Sequence, residues 1–310
     1  MDNTSTHLEN HNKADDAGGK THSVIAVCLG TGGVAAGGNY VFQKFEEEVK
    51  RLNLDITLGK RVCKTSKTGC RGLCSKDVLV DITIPGAKPL TYEKVTAAMV
   101  PEIVEQHLVK NTPIEKWLAK EDYHKFYDSQ YRLVLGNCGV IDPEDIEAYI
   151  YRGGYEALKK VLKTMKPEEV IQEIKKSGLR GRGGGGFPTG EKWASGAKYS
   201  ADEKFIVCNA DEGDPGAFMD RSLMEGDPHA VLEGMIIGGY AIKATSGYIY
   251  IRAEYPLAVK RLHIAIEQAH ERGFLGENIL NSGYSLTIFV KEGAGAFVCG
   301  ESTALQYSIE

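Results

Sequence analysis

This 310-residue chain predicts an α/β protein built in two successive parts. Three observations carry that expectation. Short apolar runs of strand type (residues 24–28, 204–208, 286–290) alternate with longer stretches whose apolar positions have helical spacing. Glycine gathers in two places, 181–186 and 293–300, where a chain must come close to something. Cysteine gathers early, at Cys28, Cys63, Cys70 and Cys74. Apolar residues make up 42% and charged residues 25%, ordinary for a folded globular chain. The net charge of −5 argues against a general nucleic-acid binder. No apolar run approaches a membrane span, so direct membrane insertion is not expected, and the N-terminus lacks a basic and apolar leader. Seven cysteines, an odd number, with no export signal point to thiols or metal ligands in a reducing, cytoplasmic setting.

In order along the chain, residues 1–22 are polar with little to bury and read as a disordered tail. Residues 24–28 read as a buried strand. Residues 40–52 read as a helix, with apolar positions 41, 42, 45, 49 and 52 on one face. Strands are expected over 55–58 and 78–84, then a further strand and a helix near 99–109. This succession suggests a thioredoxin-like layering for a first domain over 23–110. Within it, Cys70 and Cys74 lie in a glycine-containing turn at a spacing suited to one metal centre, and Cys28 ends the first strand. The run from Lys60 to Lys76 holds six cations and no acid, and is expected to present a basic face to an acidic partner.

Residues 111–177 are expected to be a helical connector packed on its neighbour, because Trp117, Tyr123, Phe126 and Tyr127 are poor linker residues. Asp142 is expected to cap a helix running to about 152, stopped by Gly153 and Gly154, with another helix from 155. Pro167 opens a further helix that Gly178 stops.

The domain over 178–310 begins with a loop in which every residue from 181 to 186 is glycine except Arg182. Bare backbone N–H groups there could converge on a phosphate, with Arg180, Arg182 and Lys192 adding positive charge. The loop meets neither stock pattern. Gly181-x-Gly183-x-x-Gly186 follows a helical stretch rather than a strand, and Glu191 stands where a Walker loop needs Lys. A strand over 204–208 then delivers Asn209, Asp211 and Glu212 at its C-terminal end, where open α/β sheets bind ligands. A mostly apolar helix over 229–243, assigned Met224 and Met235 as core, precedes a strand over 248–253. An amphipathic helix follows over 257–272, with His263 and His270 on its surface, and then a strand over 286–290. The second glycine-rich loop, 293–300, opens a helix at Glu301.

Four segments together, 177–193, 208–216, 238–242 and 293–301, resemble the NADH-binding FMN flavoprotein subunit of respiratory complex I and of NAD(P)-linked and bifurcating hydrogenases and formate dehydrogenases. The resemblance covers roughly residues 24–310. It implies FMN held without a covalent bond and NAD(H) or NADP(H) stacked over it, with hydride passing from cofactor to cofactor. It places Gly181, Arg182, Gly183 and Gly184 at phosphate and ribityl groups, Lys192 at the flavin or nicotinamide, and Phe187 at the adenine. Asn209, Asp211, Glu212, Phe297, Gly300 and Glu301 line the cofactors, and Asp214 stands near the NAD ribose. Two residues depart from the family pattern: Ser302 follows Glu301 where a second acid is common, and Ser195 replaces an aromatic. The first domain resembles the thioredoxin-like 2Fe-2S ferredoxin domain fused to hydrogenase-type subunits, which implies Cys28, Cys70 and Cys74 as metal ligands. The remaining ligand position, second in the family's pattern, is Gly33. That leaves a cluster completed by Cys63, by water or a partner residue, or lost. Family members continue past residue 310 with a domain that binds a 4Fe-4S cluster, so the chain reads as C-terminally truncated. Expected partners are other subunits of a hydrogenase, formate dehydrogenase or complex I-like assembly, and a small iron–sulfur protein. The alternative is a docking or scaffold subunit that keeps the fold without a working electron exit.

Overall fold

The computed structural model describes residues 22–54 and 62–310. The expected tail and the strand expected over 55–58 lie outside the described residues, apart from His22. The chain divides into two compact units, Met1–Val140 and Ile141–Glu310.

The first unit carries a four-stranded mixed sheet. Strand β1 (His22–Cys28) is followed by helices α1 (Thr31–Ala35) and α2 (Gly38–Arg51), then β2 (Val62–Thr68), β3 (Val80–Thr83) and β4 (Leu90–Tyr92). The spatial order is β2-β1-β3-β4, with β2 parallel to β1 and the other pairs antiparallel. This is the thioredoxin-like layering that the strand–helix–strand succession predicts. The parallel partner of β1 is 62–68, a stretch not read as a strand because its Lys, Thr and Ser residues mask the pattern. Helix α2 forms because Val41, Phe45 and Val49 fall on one stripe that is buried against the sheet, with Lys50 and Arg51 favourably placed at its negative end. The helix expected near 99–109 is short α3 (Val100–Ile103) continued by a π-helical turn, Val104–Val109. Helix α4 (Glu121–Tyr127) then brings Tyr123 into a small cluster with Cys28 and Leu79.

A buried guanidinium ties these layers. Arg71 pairs with the Asp81 carboxylate on β3, and donates to the Tyr123 hydroxyl at 3.0 Å and the Gly139 carbonyl at 3.2 Å. Lys76 bridges Glu93 at 3.0 Å and Asp122 at 2.7 Å. Two cations of the expected basic face are therefore neutralised within the unit. Charge in a sequence run says nothing about which way each side chain points.

In the second unit, helices α5 (Ile146–Tyr151), α6 (Glu156–Thr164), α7 (Pro167–Ser177) and α8 (Thr189–Lys198) lead to β5 (Phe205–Ala210). Then come α9 (Met219–Gly226), α10 (Pro228–Ile242), β6 (Ser246–Arg252), α11 (Pro256–Glu271), β7 (Thr287–Gly293) and α12 (Ser302–Ile309). The three strands are parallel in the order β5-β6-β7. Ile249, Ile251 and Ile288 on one face join Leu232, Ile236, Leu262 and Ala265 from α10 and α11 in the main core. Asp227 caps α10 by accepting from the Ala230 N–H, with Pro228 in the first turn.

Several boundaries differ from expectation. The connector expected over 111–177 divides between the units, because α5 and α6 belong to the second core. Buried Glu233 on α10 accepts from the Tyr149 hydroxyl at 2.6 Å and from the N–H groups of Tyr155 and Leu158 at 2.8 and 3.0 Å. Asp142 does not cap α5. It accepts from the Glu144 N–H in a preceding turn, and Asp145 is the cap. Met224 lies on α9, a helix of its own before Asp227, although it is core as expected.

Candidate functional site

The three strands of the second unit run parallel, so their C-terminal ends lie on one edge of the sheet. From β5 come Asn209 and, just beyond, Asp211. Arg252 ends β6. Gly293 ends β7 and leads into the second glycine loop. Asn209 ties two loops together: its Nδ2 donates to the Cys299 carbonyl at 2.9 Å, and its Oδ1 accepts from the Asp211 N–H at 3.1 Å. Gly213 lies against Phe297, since a Cβ at Gly213 would sit 3.1 Å from Phe297 Cδ2. The structure thus brings Asn209, Asp211 and Glu212 together with the loop carrying Phe297.

Asp211 is the most informative residue here. It is 9% exposed, and both carboxylate oxygens are buried without a hydrogen-bond partner. Burial raises its pKa, opposed by the positive charge of Arg252. A buried, unpartnered carboxylate is costly, and a ligand with donors to offer would relieve that cost. Hydroxyl groups on a sugar-like chain are such donors.

Glu212 and Glu301 have local duties. Glu212 accepts from the Asp220 and Arg221 N–H groups at 3.0 and 3.2 Å, at the start of α9. Glu301 caps α12 by accepting from the Thr303 and Ala304 N–H groups at 2.9 and 3.0 Å. These backbone hydrogen bonds hold the Glu301 carboxyl below its ordinary range. Gly300, beside it, is exposed with open space around it, and Asp214 lies in an exposed turn.

The first glycine loop stands open. A Cβ at Gly183, Gly184 or Gly185 would meet nothing within 4 Å. Gly184 and Gly186 take left-handed backbone angles, φ 94° and 58°, that glycine adopts without strain. The loop is closed at its base by the Gly181 N–H donating to the Phe187 carbonyl at 2.9 Å. Arg182 donates to the Arg180 carbonyl at 2.6 Å, and Phe187 is 58% exposed. Lys192 is exposed on α8.

Sequence reasoning missed Arg252 and Asp220. Arg252 donates to the Glu212 carbonyl at 2.7 Å and pairs with Glu254 at 2.9 Å. Gly295 makes room for that pair, because a Cβ there would sit 2.6 Å from Glu254 Oε1. The available signal was an arginine closing a central parallel strand, at the end where ligands bind. Asp220 is pushed up to about 6 by burial and then by the neighbouring Glu212 charge. Nothing in its sequence neighbourhood announces that.

The cysteine site in the first unit has a different character. Cys70 Sγ lies 3.5 Å from Cys74 Sγ and accepts from the Gly72 N–H at 3.2 Å. Cys28 Sγ donates to the Gly69 carbonyl at 3.8 Å. Hydrogen bonding from Cys28, aided by the Gly72 N–H, brings Cys70 down to about 6 against the opposing effect of burial. Cys28 moves the other way, through its contact with Cys70 and its own burial. The three expected ligands are therefore neighbours. A fourth side chain does not fit at position 33, however: a Cβ at Gly33 would lie 2.2 Å from the Cys28 carbonyl oxygen and 3.3 Å from its sulfur. The backbone leaves no place for a fourth thiolate at that position. Cys63 has no described side chain. Among the described residues, no group of three or more His, Cys, Asp or Glu side chains is arranged to hold a metal ion.

The second unit is thus an α/β domain whose candidate site lies at the C-terminal ends of a parallel sheet. Residues 174–310 match the family model of the Nuo51 FMN-binding domain. The chain is 62% identical over 181 residues to the NADP-reducing hydrogenase subunit HndC of Solidesulfovibrio fructosivorans, covering 58% of this chain and 36% of that protein. It is 54% identical over 165 residues to a subunit of the NADH-quinone oxidoreductase of Aquifex aeolicus, covering 53% of this chain and 38% of that one. Among solved structures, it is similar to an NAD+-reducing [NiFe]-hydrogenase in the H2-reduced state, at 26% identity and a TM-score of 0.45, over 93% of this chain and 46% of that one. The chain thus spans less than half the length of each relative named here. No described helix is long and apolar enough to cross a membrane.

Proposed function

We propose that this chain is the FMN- and nicotinamide-binding part of a cytoplasmic oxidoreductase subunit, oxidising NAD(P)H or reducing NAD(P)+ within a larger assembly of hydrogenase, formate dehydrogenase or complex I type. The observation that carries the reading is Asp211, a buried carboxylate with no partner, at the strand ends of a domain matching an FMN-binding family. The residues present fit FMN. Asp211 would accept from ribityl hydroxyls, and the backbone N–H groups of 181–186 with Arg182 would take the phosphate. Asn209 would hold the 208–212 and 293–300 segments at a fixed separation. Arg252 would keep the Asp211 carboxylate ionised while the site is closed to water. Lys192 and Phe187, both exposed, would meet the flavin or nicotinamide and the adenine respectively, and Asp214 would meet the NAD ribose. When bound, FMN supplies the chemistry of accepting a hydride as an electron pair and releasing electrons singly. The polypeptide supplies position and charge. No side chain is required as acid or base.

Titrating the purified chain with FMN while following flavin fluorescence tests this directly. Saturable quenching is expected, followed by bleaching of the flavin band when NADH or NADPH is added without oxygen. Asp211→Ala should weaken FMN binding at least tenfold. Unquenched flavin at every protein concentration would overturn the reading.

A further inference from the structure

We propose that Arg252 is a positioning residue of the second unit's site, clamping its two ligand-facing loops together and supplying the counter-charge of Asp211. The residue closes β6, the central strand of the sheet. Its Nη1 donates to the Glu212 carbonyl at 2.7 Å, which fixes the turn after β5. Its Nη2 pairs with Glu254 at 2.9 Å, and the guanidinium lies over the Tyr255 ring at 5.5 Å. The loop after β7 rests on this pair. A Cβ at Gly295 would sit 2.6 Å from Glu254 Oε1, 3.0 Å from Arg252 Nη2 and 3.1 Å from Arg252 Nε. Gly295 also holds φ at 73°, so glycine lets the backbone come this close without strain. Asn209 ties the same two segments farther along, through the Cys299 carbonyl.

The other half of the role is electrostatic. Both Asp211 oxygens are buried without a hydrogen-bond partner, and burial disfavours their charge. Arg252 and Glu254 face Asp211 from the end of β6, and Tyr250 faces it from the same strand. Glu254 is half exposed, so solvent screens its repulsion, whereas Arg252 is largely covered. From the loop after β7, Cys299 meets the Tyr250 hydroxyl at 3.6 Å. Glu212, next in sequence, turns to the backbone of α9. Arg252 is therefore the group that opposes burial of the Asp211 charge. Its own Nε is buried without a partner, so Glu254 and the Glu212 carbonyl do not use up its donors. Arg252 acts on a ligand through other groups, through the loops for position and through Asp211 for charge. The inference rests on the FMN reading above for its ligand alone; the clamp and the counter-charge are properties of the chain itself.

The purified chain and two variants are followed by three measurements. Carbon NMR titrates the Asp211 carboxyl without added ligand, hydrogen exchange reads the 293–300 backbone, and fluorescence quenching gives FMN affinity from mildly acidic to neutral pH. In Arg252→Gln, Asp211 should titrate at a higher pH than in the wild type, and 293–300 should exchange faster. FMN affinity should fall at least tenfold, with the deficit growing as pH falls, because the variant's carboxyl takes up its proton first. The FMN phosphate titrates in both proteins, so the ratio of their affinities reports Asp211. Arg252→Lys keeps the charge and the stem but loses the planar fork. It should recover the wild-type pH course while 293–300 still exchanges faster, and it guards against a Gln variant that does not fold. An Asp211 titration that stays put in Arg252→Gln would overturn the proposal, as would unchanged exchange at 293–300 in Arg252→Lys. Equal, pH-independent losses of affinity in both variants would also overturn it, since a merely structural role predicts them. A wild-type chain that binds no FMN, with the titration and the exchange moving as expected, would sink the FMN reading and leave the role of Arg252 standing.

Discussion

The two sites use glycine in opposite ways. Around the cysteines glycine is a packing device: a Cβ at Gly30 would sit 2.7 Å from Cys70 Cβ, one at Gly32 2.8 Å from Cys74 Sγ, and one at Gly33 2.2 Å from the Cys28 carbonyl. The space is already filled by the protein. In the 181–186 loop the same residue type borders open space, with nothing within 4 Å of a Cβ at Gly183, Gly184 or Gly185. Glycine is retained at a conformational cost in both places, but only the second leaves room for something that is not the polypeptide. A glycine-rich stretch is therefore evidence of a ligand only when no side chain or backbone already occupies the approach.

The largest test of this contrast lies beneath the closed site. Arg71→Ala leaves Asp81 without its buried partner, and loss of one member of such a pair destabilises by about 3–5 kcal/mol. Urea denaturation combined with hydrogen exchange should show the loss in peptides of the first unit. Unchanged protection there would mean that the ion pair does not organise the cysteine layer.

Gly33→Ala comes next. It forces a methyl group onto backbone and should destabilise by about 1–3 kcal/mol, read as a lower urea midpoint. A neutral result would show that the approach can open, and would restore space for a fourth ligand there.

Asp220→Asn probes the open site through pH. The unfolded carboxyl titrates near ~3.9 and the folded one at about 6, so folding favours the protonated form. The stability this group contributes is present below pH ~4 and is lost as pH rises through about 6. The Asn variant should therefore match the wild type at low pH and exceed it by about 1–2 kcal/mol above pH ~6. Parallel pH–stability curves would refute the burial argument.

The smallest effect on stability should come from Gly185→Ala, within about 0.5 kcal/mol because the added methyl touches nothing. Its FMN affinity should nevertheless drop at least tenfold. Equal losses of stability from Gly33→Ala and Gly185→Ala would erase the comparison.

Much of the second unit was legible in the sequence. The 204–208, 248–253 and 286–290 runs are short, apolar and bounded by turn residues, and β5, β6 and β7 follow them within a few residues. Asn209, Asp211 and Glu212 were legible because they stand at or just past the end of an apolar strand, although β5 is buried only at Ala210. The first unit was harder to read. Its second strand, 62–68, is rich in Lys and Thr, and its partner β1 supplies the hydrogen bonds that make it a strand. Register against a neighbour is a long-range property that local composition does not report.

By itself, the sequence determined the alternation of strands and helices, the glycine and cysteine clusters, and the residues delivered at strand ends. These follow from local spacing, because burial periodicity and backbone freedom are written residue by residue. Only the tertiary structure decided the rest. It placed Arg71 inside the protein, gave α5 and α6 to the second core through Glu233, and brought Arg252 beside Asp211. It also filled the space at Gly33 and left it open at Gly185. Burial, charge pairing and available volume depend on atoms far apart in the chain, so they exist only once the chain has folded.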